Sequence, residues 1–357
     1  MELFLSFIAD TLLGGEKVRS EWRVIDWRKF YQFAAEQAVL GVVFEGIVRY
    51  ENELKDVIPK DVLFQWIGDA EQIKRQNTIL NQKCVEITKY LTEKGYKSCI
   101  LKGQGNAIIY PNPFSRNPGD IDIWVDGTKE ELVRMVISVC PEAEIASHHI
   151  EFPIYKEVPI EVHFFPSFSV VKRYDKRWMK YVEAHKQEQF SNEIHLPDCD
   201  GTIAVPTTEF NVIYQLSHMM RHFFYEGIGL RHIIDYYYLL KQAEGIIRKE
   251  DIKMLLKRLG MLKYTSGLMW IEKECLGLNE KYLIVEPDQQ RGKLILEEVF
   301  EGGNFGNNDK RKATKLAKNS KTLSVIVRNI KLLRLFPQEA IAAPIDGVIR
   351  HFFLSKI

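Results

Sequence analysis

Asn117-Pro118-Gly119-Asp120-Ile121-Asp122-Ile123-Trp124-Val125 is the stretch on which the fold turns. After the Pro-Gly turn, polar and apolar residues alternate, the mark of a half-buried β-strand. Strand side chains point alternately to two faces, so Asp120 and Asp122 share one face while Ile121, Ile123 and Val125 fill the other. Two carboxylates on one face repel each other unless a cation lies between them. Their oxygens, completed by phosphate oxygens, suit Mg²⁺ or Mn²⁺. The competing reading is a turn with solvated acids, which would not need the apolar strand around them.

A third acid follows downstream. In Ile160-Glu161-Val162-His163-Phe164 the same alternation puts Glu161 and His163 on one face. If this strand pairs with the Asp120 strand, Glu161 completes a two-metal cluster of the kind that clamps the attacking and leaving oxygens of a phosphoryl displacement. Otherwise Glu161 is an exposed strand residue, and His163 is either its substitute or a hydrogen-bonding neighbour. Upstream, Tyr96 to Lys102 reads as a strand ending on Gly103, followed by a short helix from about Gln104 to Tyr110. Glycine at Gly103 and Gly105 lets a phosphate approach the backbone, and a helix start at Gln104 offers N–H donors. Lys102 either reaches the phosphates or forms an ion pair at the strand end. Arg116 either reaches them or braces its loop.

The order strand, glycine turn, short helix, Asp-x-Asp strand and later acid-bearing strand resembles the core of polymerase-β-type nucleotidyltransferases. The wording Leu101-Lys102-Gly103, Tyr110-Pro111-Asn112-Pro113, Arg116 and Gly119-Asp120-Ile121-Asp122 resembles a bacterial branch described as uncharacterised nucleotidyltransferases, as does the segment from His218 and His222 through Leu230-Arg231 to Asp235. The resemblance implies an α+β fold with a mixed sheet, with Gly103 as the signature glycine, Asp120 and Asp122 as the paired aspartates and Glu161 as the third acid. It implies metal-dependent transfer of a nucleoside monophosphate from an NTP to a hydroxyl-bearing small molecule or protein acceptor, releasing pyrophosphate. Many members carry serine in the turn where this chain has Gly103-Gln104-Gly105, so Gln104 or a backbone N–H would take its place. The alternative is a degenerate nucleotide-binding or protein-interaction module that keeps the fold without turnover.

Residues 1–93 read as helical, with Asp26 as an N-cap and a long helix from about Asp61 to Glu93 after Pro59. Residues 94–205 form the α/β region. There Thr128 caps a helix to about Val139, and strands at His149–Tyr155 and Val158–Phe165 flank a Lys156-Glu157 turn. Residues 206–357 are helical again, most clearly over Glu209–Tyr225 and Leu230–Gln242. His218 and His222 share a helix face. Met219 stands where the zinc-protease pattern needs Glu, so the pair either packs structurally or, with Arg231 and His163, lines the acceptor side. Arg231 and Asp235 are spaced for an intrahelical ion pair. His148-His149 have no Cys or acid at ligand spacing, and no metal site is read there. The third glycine of a dinucleotide fingerprint is replaced by Ile108, and Pro111 cuts the helix short, which argues against a dinucleotide site.

Composition narrows the class. The 357 residues are 46% hydrophobic and 27% charged, with a net charge of +1, so no global field favours nucleic acid. Five widely spaced cysteines read as reduced thiols, and the apolar N-terminus lacks a basic region ahead of it, so the expected compartment is the cytoplasm. From Asp309 to Arg334 nine Lys or Arg face a single acid, and Leu323–Phe336 looks like a basic amphipathic helix. That tail is read either as a solvated face or as a contact for an anionic membrane surface or nucleic acid. Few aromatics precede Phe352-Phe353, so base stacking is poorly supported.

Overall fold

The computed structural model describes residues 1–309 and 321–349. The fold is mixed α+β, 63% helical, with a small four-stranded mixed sheet. Helices α1 (Glu2–Leu13), α2 (Trp27–Glu36), α3 (Leu40–Arg49) and α4 (Glu51–Leu54) lead into α5 (Lys60–Glu93), which spans 34 residues. Asp26 caps α2 by accepting from the Lys29 N–H at 3.1 Å. Next come β1 (Ser98–Ile100), α6 (Gln104–Ala107), β2 (Ile121–Val125), α7 (Lys129–Val139), β3 (His149–Glu151), β4 (Ile160–His163), α8 (Lys172–Gln189) and the hairpin β5 (Glu193–His195) with β6 (Thr202–Ala204). The remaining helices are α9 (Thr208–Tyr225), α10 (Leu230–Gln242), α11 (Lys249–Leu259), α12 (Leu262–Trp270), α13 (Gln289–Gly302), α14 (Lys321–Ile330) and α15 (Pro337–Ile349).

The sheet runs β1-β2-β4-β3, with β2 parallel to β4 and the outer pairs antiparallel. Its two faces meet different surroundings. Ile100, Ile121, Ile123, Val125, Ile160, Val162 and Ile150 form one core with Leu80, Cys84, Ile87 and Leu91 of α5 and Leu132 and Val136 of α7. On the other face Cys99 and Trp124 join the larger helical core, where Trp124 packs on Phe190 and Phe210. This larger core takes side chains from both ends of the chain: Phe33 of α2 meets Phe300 of α13, and Gln37 Nε2 donates to Val299 O at 3.1 Å. The sheet face that carries Cys99 and Trp124 is therefore roofed by helices.

One expectation needs correction, and two elements escaped the sequence reading. The helix after Gly103 is one turn, ending at Ala107 instead of near Tyr110. Helix α8 was not anticipated, because only Trp178, Val182 and Gln189 of its 18 residues are buried and the apolar period is faint. The β5–β6 hairpin was also not anticipated. In the basic tail, Arg328 is buried and pairs with Glu298 at 3.3 Å, and Lys331 pairs with Glu301 at 2.7 Å, so these cations serve α13. Ile326, Ile330 and Leu333 are exposed beside them. Lys310, Arg311, Lys312, Lys315, Lys318 and Phe352-Phe353 lie outside the described residues. Among the described residues no helix is long and apolar enough to cross a membrane, and all five cysteines are free thiols.

Candidate active site

The parallel register of β2 and β4 sets Asp122 opposite Glu161 and Trp124 opposite His163, and β3 adds His149 opposite His163. Every second side chain points to the helical layer, so these residues converge on one face. His163 Nε2 lies 2.8 Å from Asp122 Oδ1 and 3.2 Å from Glu161 Oε2. His149 Nδ1 lies 3.2 Å from the same Glu161 oxygen. The ammonium of Lys102, which follows β1, sits 2.9 Å from Asp122 Oδ2.

Electrostatics follow from this packing. Burial alone would raise the Asp122 carboxyl, but Lys102 and His163 outweigh it and hold it well below the usual carboxylate range. Asp120, half-buried just before β2, is pushed the other way, first by the charge of Asp122 and then by burial. Burial depresses His149 to about 4, which keeps it neutral. Burial opposes charge on His163 too, yet the carboxylates of Asp122 and Glu161 raise it overall. Lys102 is likewise desolvated, and Asp122 and Asp120 keep it charged.

Helix α9 lays a stripe of rings and charge over this face. His218 Nε2 is 3.5 Å from Lys102 Nζ, and His218 packs on His222 at 4.4 Å between ring centroids. Arg221 donates to His148 Nε2 at 2.7 Å and to His222 Nε2 at 2.6 Å. An arginine only donates, so both nitrogens accept, and the proton of His222 sits on Nδ1 facing Glu226 Oε2 at 3.1 Å. With His232 near His218 and His222, six of the nine histidines of the chain gather here.

Not every expected residue turns toward the carboxylates. Arg116 is buried and spends its guanidinium on Asp235, with bonds of 2.7 and 2.8 Å, while Tyr110 donates to the same carboxylate at 2.6 Å. It braces its loop and is not free to reach a phosphate. Asp235 is therefore Arg116's partner; the intrahelical pairing with Arg231 is replaced. Arg231 instead donates to the carbonyls of Asn117 and Pro118 at 3.3 and 3.1 Å, holding the loop that enters β2. The Gln104 side chain is buried and donates to Asn81 Oδ1 on α5, so it does not face the cluster. Gly103 has φ +60° and ψ −111°, a conformation that favours glycine, and with α6 a single turn no extended helix dipole points from it. A Cβ on Gly105 would press on Val205 at 3.1 Å, so that glycine serves packing against the strand side.

Two overlapping donor sets lie at metal-holding separations, Asp122–Glu161–His163 and His148–His149–His163, each with ligand atoms within 4.8 Å of one another. The first contains two members of the expected triad. Asp120 is in neither set, and His163 takes the third position. No metal site was expected at His148-His149, yet the fold brings both to His163 and sets His149 beside Glu161; Arg221 was not singled out beforehand. Sequence spacing carries no trace of them, because 12 positions separate His149 from Glu161 and 73 separate Arg221 from His148. A mixed carboxylate–imidazole set fits a divalent cation. A family model described as an uncharacterised nucleotidyltransferase matches residues 23–277. No curated protein and no solved structure matches the chain.

Proposed function

This chain belongs to the uncharacterised nucleotidyltransferase family, and we propose that it moves a nucleoside monophosphate from an NTP to a hydroxyl-bearing small molecule or protein side chain on a polymerase-β-type core. The observation that carries this reading is the Asp122–Glu161 cross-strand pair with Lys102 on Asp122 Oδ2. Carboxylates for a cation and an ammonium for a triphosphate thus stand side by side.

In the reaction the acceptor oxygen bonds to the α-phosphorus, the α–β P–O bond breaks, and pyrophosphate leaves with the electron pair. A divalent ion, when bound, neutralises phosphate charge and makes the acceptor hydroxyl more acidic. Asp122 and Glu161 would hold it, with Asp120 close enough in charge to join them. Glu161, the more exposed of the two, takes the acceptor proton. Lys102, charged and only 13% exposed, neutralises the departing phosphates. His218 orients Lys102, and the Gly103 backbone allows close approach. Arg231 keeps the Asn117–Gly119 loop seated just ahead of Asp120.

One observation favours a module without turnover: the turn side chain Gln104 is committed to Asn81, so within the turn only backbone is left for phosphate contact. Calorimetric titration of the four NTPs with and without Mg²⁺ or Mn²⁺, on wild type and on Asp120→Ala/Asp122→Ala, tests nucleotide use. Binding of one NTP only with metal, lost in the double variant, supports the site. Pyrophosphate release from that NTP then separates enzyme from module. No binding under any metal condition sinks the enzyme and leaves a degenerate member acting through its helical surfaces.

A further inference from the structure

His163 Nε2 faces two carboxylate oxygens at once, Asp122 Oδ1 at 2.8 Å and Glu161 Oε2 at 3.2 Å. Ligand bonds of about 2.1 Å set neighbouring donors roughly 3.0 Å apart at octahedral angles and roughly 3.4 Å at tetrahedral ones. The two separations from His163 are close to that range and all three atoms lie within 4.8 Å of one another, so an ion can enter among them with side-chain adjustments. We propose that Asp122 Oδ1, Glu161 Oε2 and His163 Nε2 ligate one divalent ion directly, and that the imidazole makes the site select a first-row transition ion, with Mn²⁺ as the probe, over Mg²⁺. This rests on the nucleotidyltransferase reading and adds a nitrogen ligand to it.

Four observations support the assignment. Mg²⁺ is a hard ion that seeks oxygen, whereas imidazole suits transition ions. His163 is 2% exposed and sits on a strand paired on both sides, to β2 and to β3, so its ring is held at the carboxylates. Lys102 occupies Asp122 Oδ2, which leaves Oδ1 to face His163. The one engaged nitrogen of His163, Nε2, points at two carboxylate oxygens at once. His149 Nδ1, 3.2 Å from the same Glu161 oxygen and in the second donor set with His163, is a further nitrogen within reach of the same ion.

The test uses the full chain, stripped of metal and titrated with Mn²⁺ without nucleotide. Electron paramagnetic resonance counts bound Mn²⁺, and its pulsed form reads the ¹⁴N coupling of a coordinated imidazole. Wild type is expected to hold Mn²⁺ with a ¹⁴N coupling and to retain it against about a hundredfold excess of Mg²⁺. His163→Gln, checked for folding by circular dichroism, is expected to lose the coupling and to bind Mn²⁺ at least about tenfold more weakly. Absence of Mn²⁺ binding or of ¹⁴N coupling in wild type overturns the proposal, whether or not the variant folds. So does displacement by equimolar Mg²⁺. Mg²⁺-dependent NTP binding is followed separately by calorimetry. If it persists without ¹⁴N coupling, His163 is rejected as a ligand while nucleotidyl transfer stands. If no NTP binds yet the coupling is present, the metal site stands and nucleotidyl transfer falls.

Discussion

Arg116 grips Asp235 with two parallel hydrogen bonds, Nε to Oδ1 at 2.7 Å and Nη2 to Oδ2 at 2.8 Å, across 119 positions of chain. Both side chains are about 5% exposed, so the bond is a buried clamp between the loop ahead of β2 and helix α10. Removing one partner leaves a buried charge, and Asp235→Asn should lower stability by about 3–5 kcal/mol. Arg116→Met with Asp235→Leu should cost clearly less than the sum of the single changes in urea unfolding. Additive effects would dismiss the clamp.

The same pair sets an acid limb. Burial would raise the Asp235 carboxyl, but the charge and hydrogen bonds of Arg116, with Tyr110, hold it below the usual range. Its stabilisation is therefore full above the unfolded pKa of about 3.9 and is lost as pH falls through the lower folded value. The stability gap between wild type and Asp235→Asn should be constant near neutral pH and shrink below about pH 4. A gap independent of acid pH would contradict this.

Gly41 of α3 lies where a Cβ would come within 2.2 Å of Ser115 O, and its N–H donates to Asn117 Oδ1 at 3.2 Å. Gly41→Ala must push away the loop that carries Arg116, at a cost of about 1–3 kcal/mol. Gly68 of α5 has nothing within 4 Å of its Cβ position, so Gly68→Ala should stabilise by roughly 0.5–1 kcal/mol. Denaturation midpoints of the two variants should move in opposite directions.

Lys102 faces the carboxylates and Gln104 faces α5, so their substitutions should separate. Lys102→Met should weaken NTP binding by about tenfold or more through the lost ammonium. Gln104→Ala should lower stability by about 1 kcal/mol with NTP affinity held. Calorimetry beside thermal unfolding reads both. An affinity loss in Gln104→Ala would mean that its amide turns to the ligand.

Glu272 lies in the π-helical turn Ile271–Cys275, fully buried, with neither carboxylate oxygen hydrogen-bonded among the described residues. Burial pushes its carboxyl well above the usual range. The folded chain then keeps a proton that the unfolded chain loses above about pH 4.3, so stability falls with rising pH by up to about 1.4 kcal/mol per unit. Glu272→Met should remove this slope, so its stability relative to wild type should rise as pH climbs above about 4.3. Equal pH slopes in the two proteins would refute it.

Much of the local structure was legible in sequence, because its causes are local. Alternation across Asp120–Val125 is a two-residue geometric period, and it set Asp122 opposite in face to Ile121 and Ile123 before any partner was known. Thr128 with Glu131, and Asp26 with Lys29, are caps written within four residues, and both form. Helix α8 escaped because three buried positions leave too weak a period.

The amino-acid order by itself determined which residues could share a strand face, where the capped helices α2 and α7 start, and that Asp122, Glu161 and His163 were carboxylate and imidazole candidates. Only tertiary structure decided that β2 and β4 run parallel in the register that joins them, that His149 and Arg221 enter the cluster, and that Arg116 and Gln104 turn to Asp235 and Asn81 instead. Side-chain direction along one element follows from backbone geometry within a few residues. Which side chains meet depends on strand register and helix packing, set by burial summed over the whole core, and no short window of sequence contains that sum.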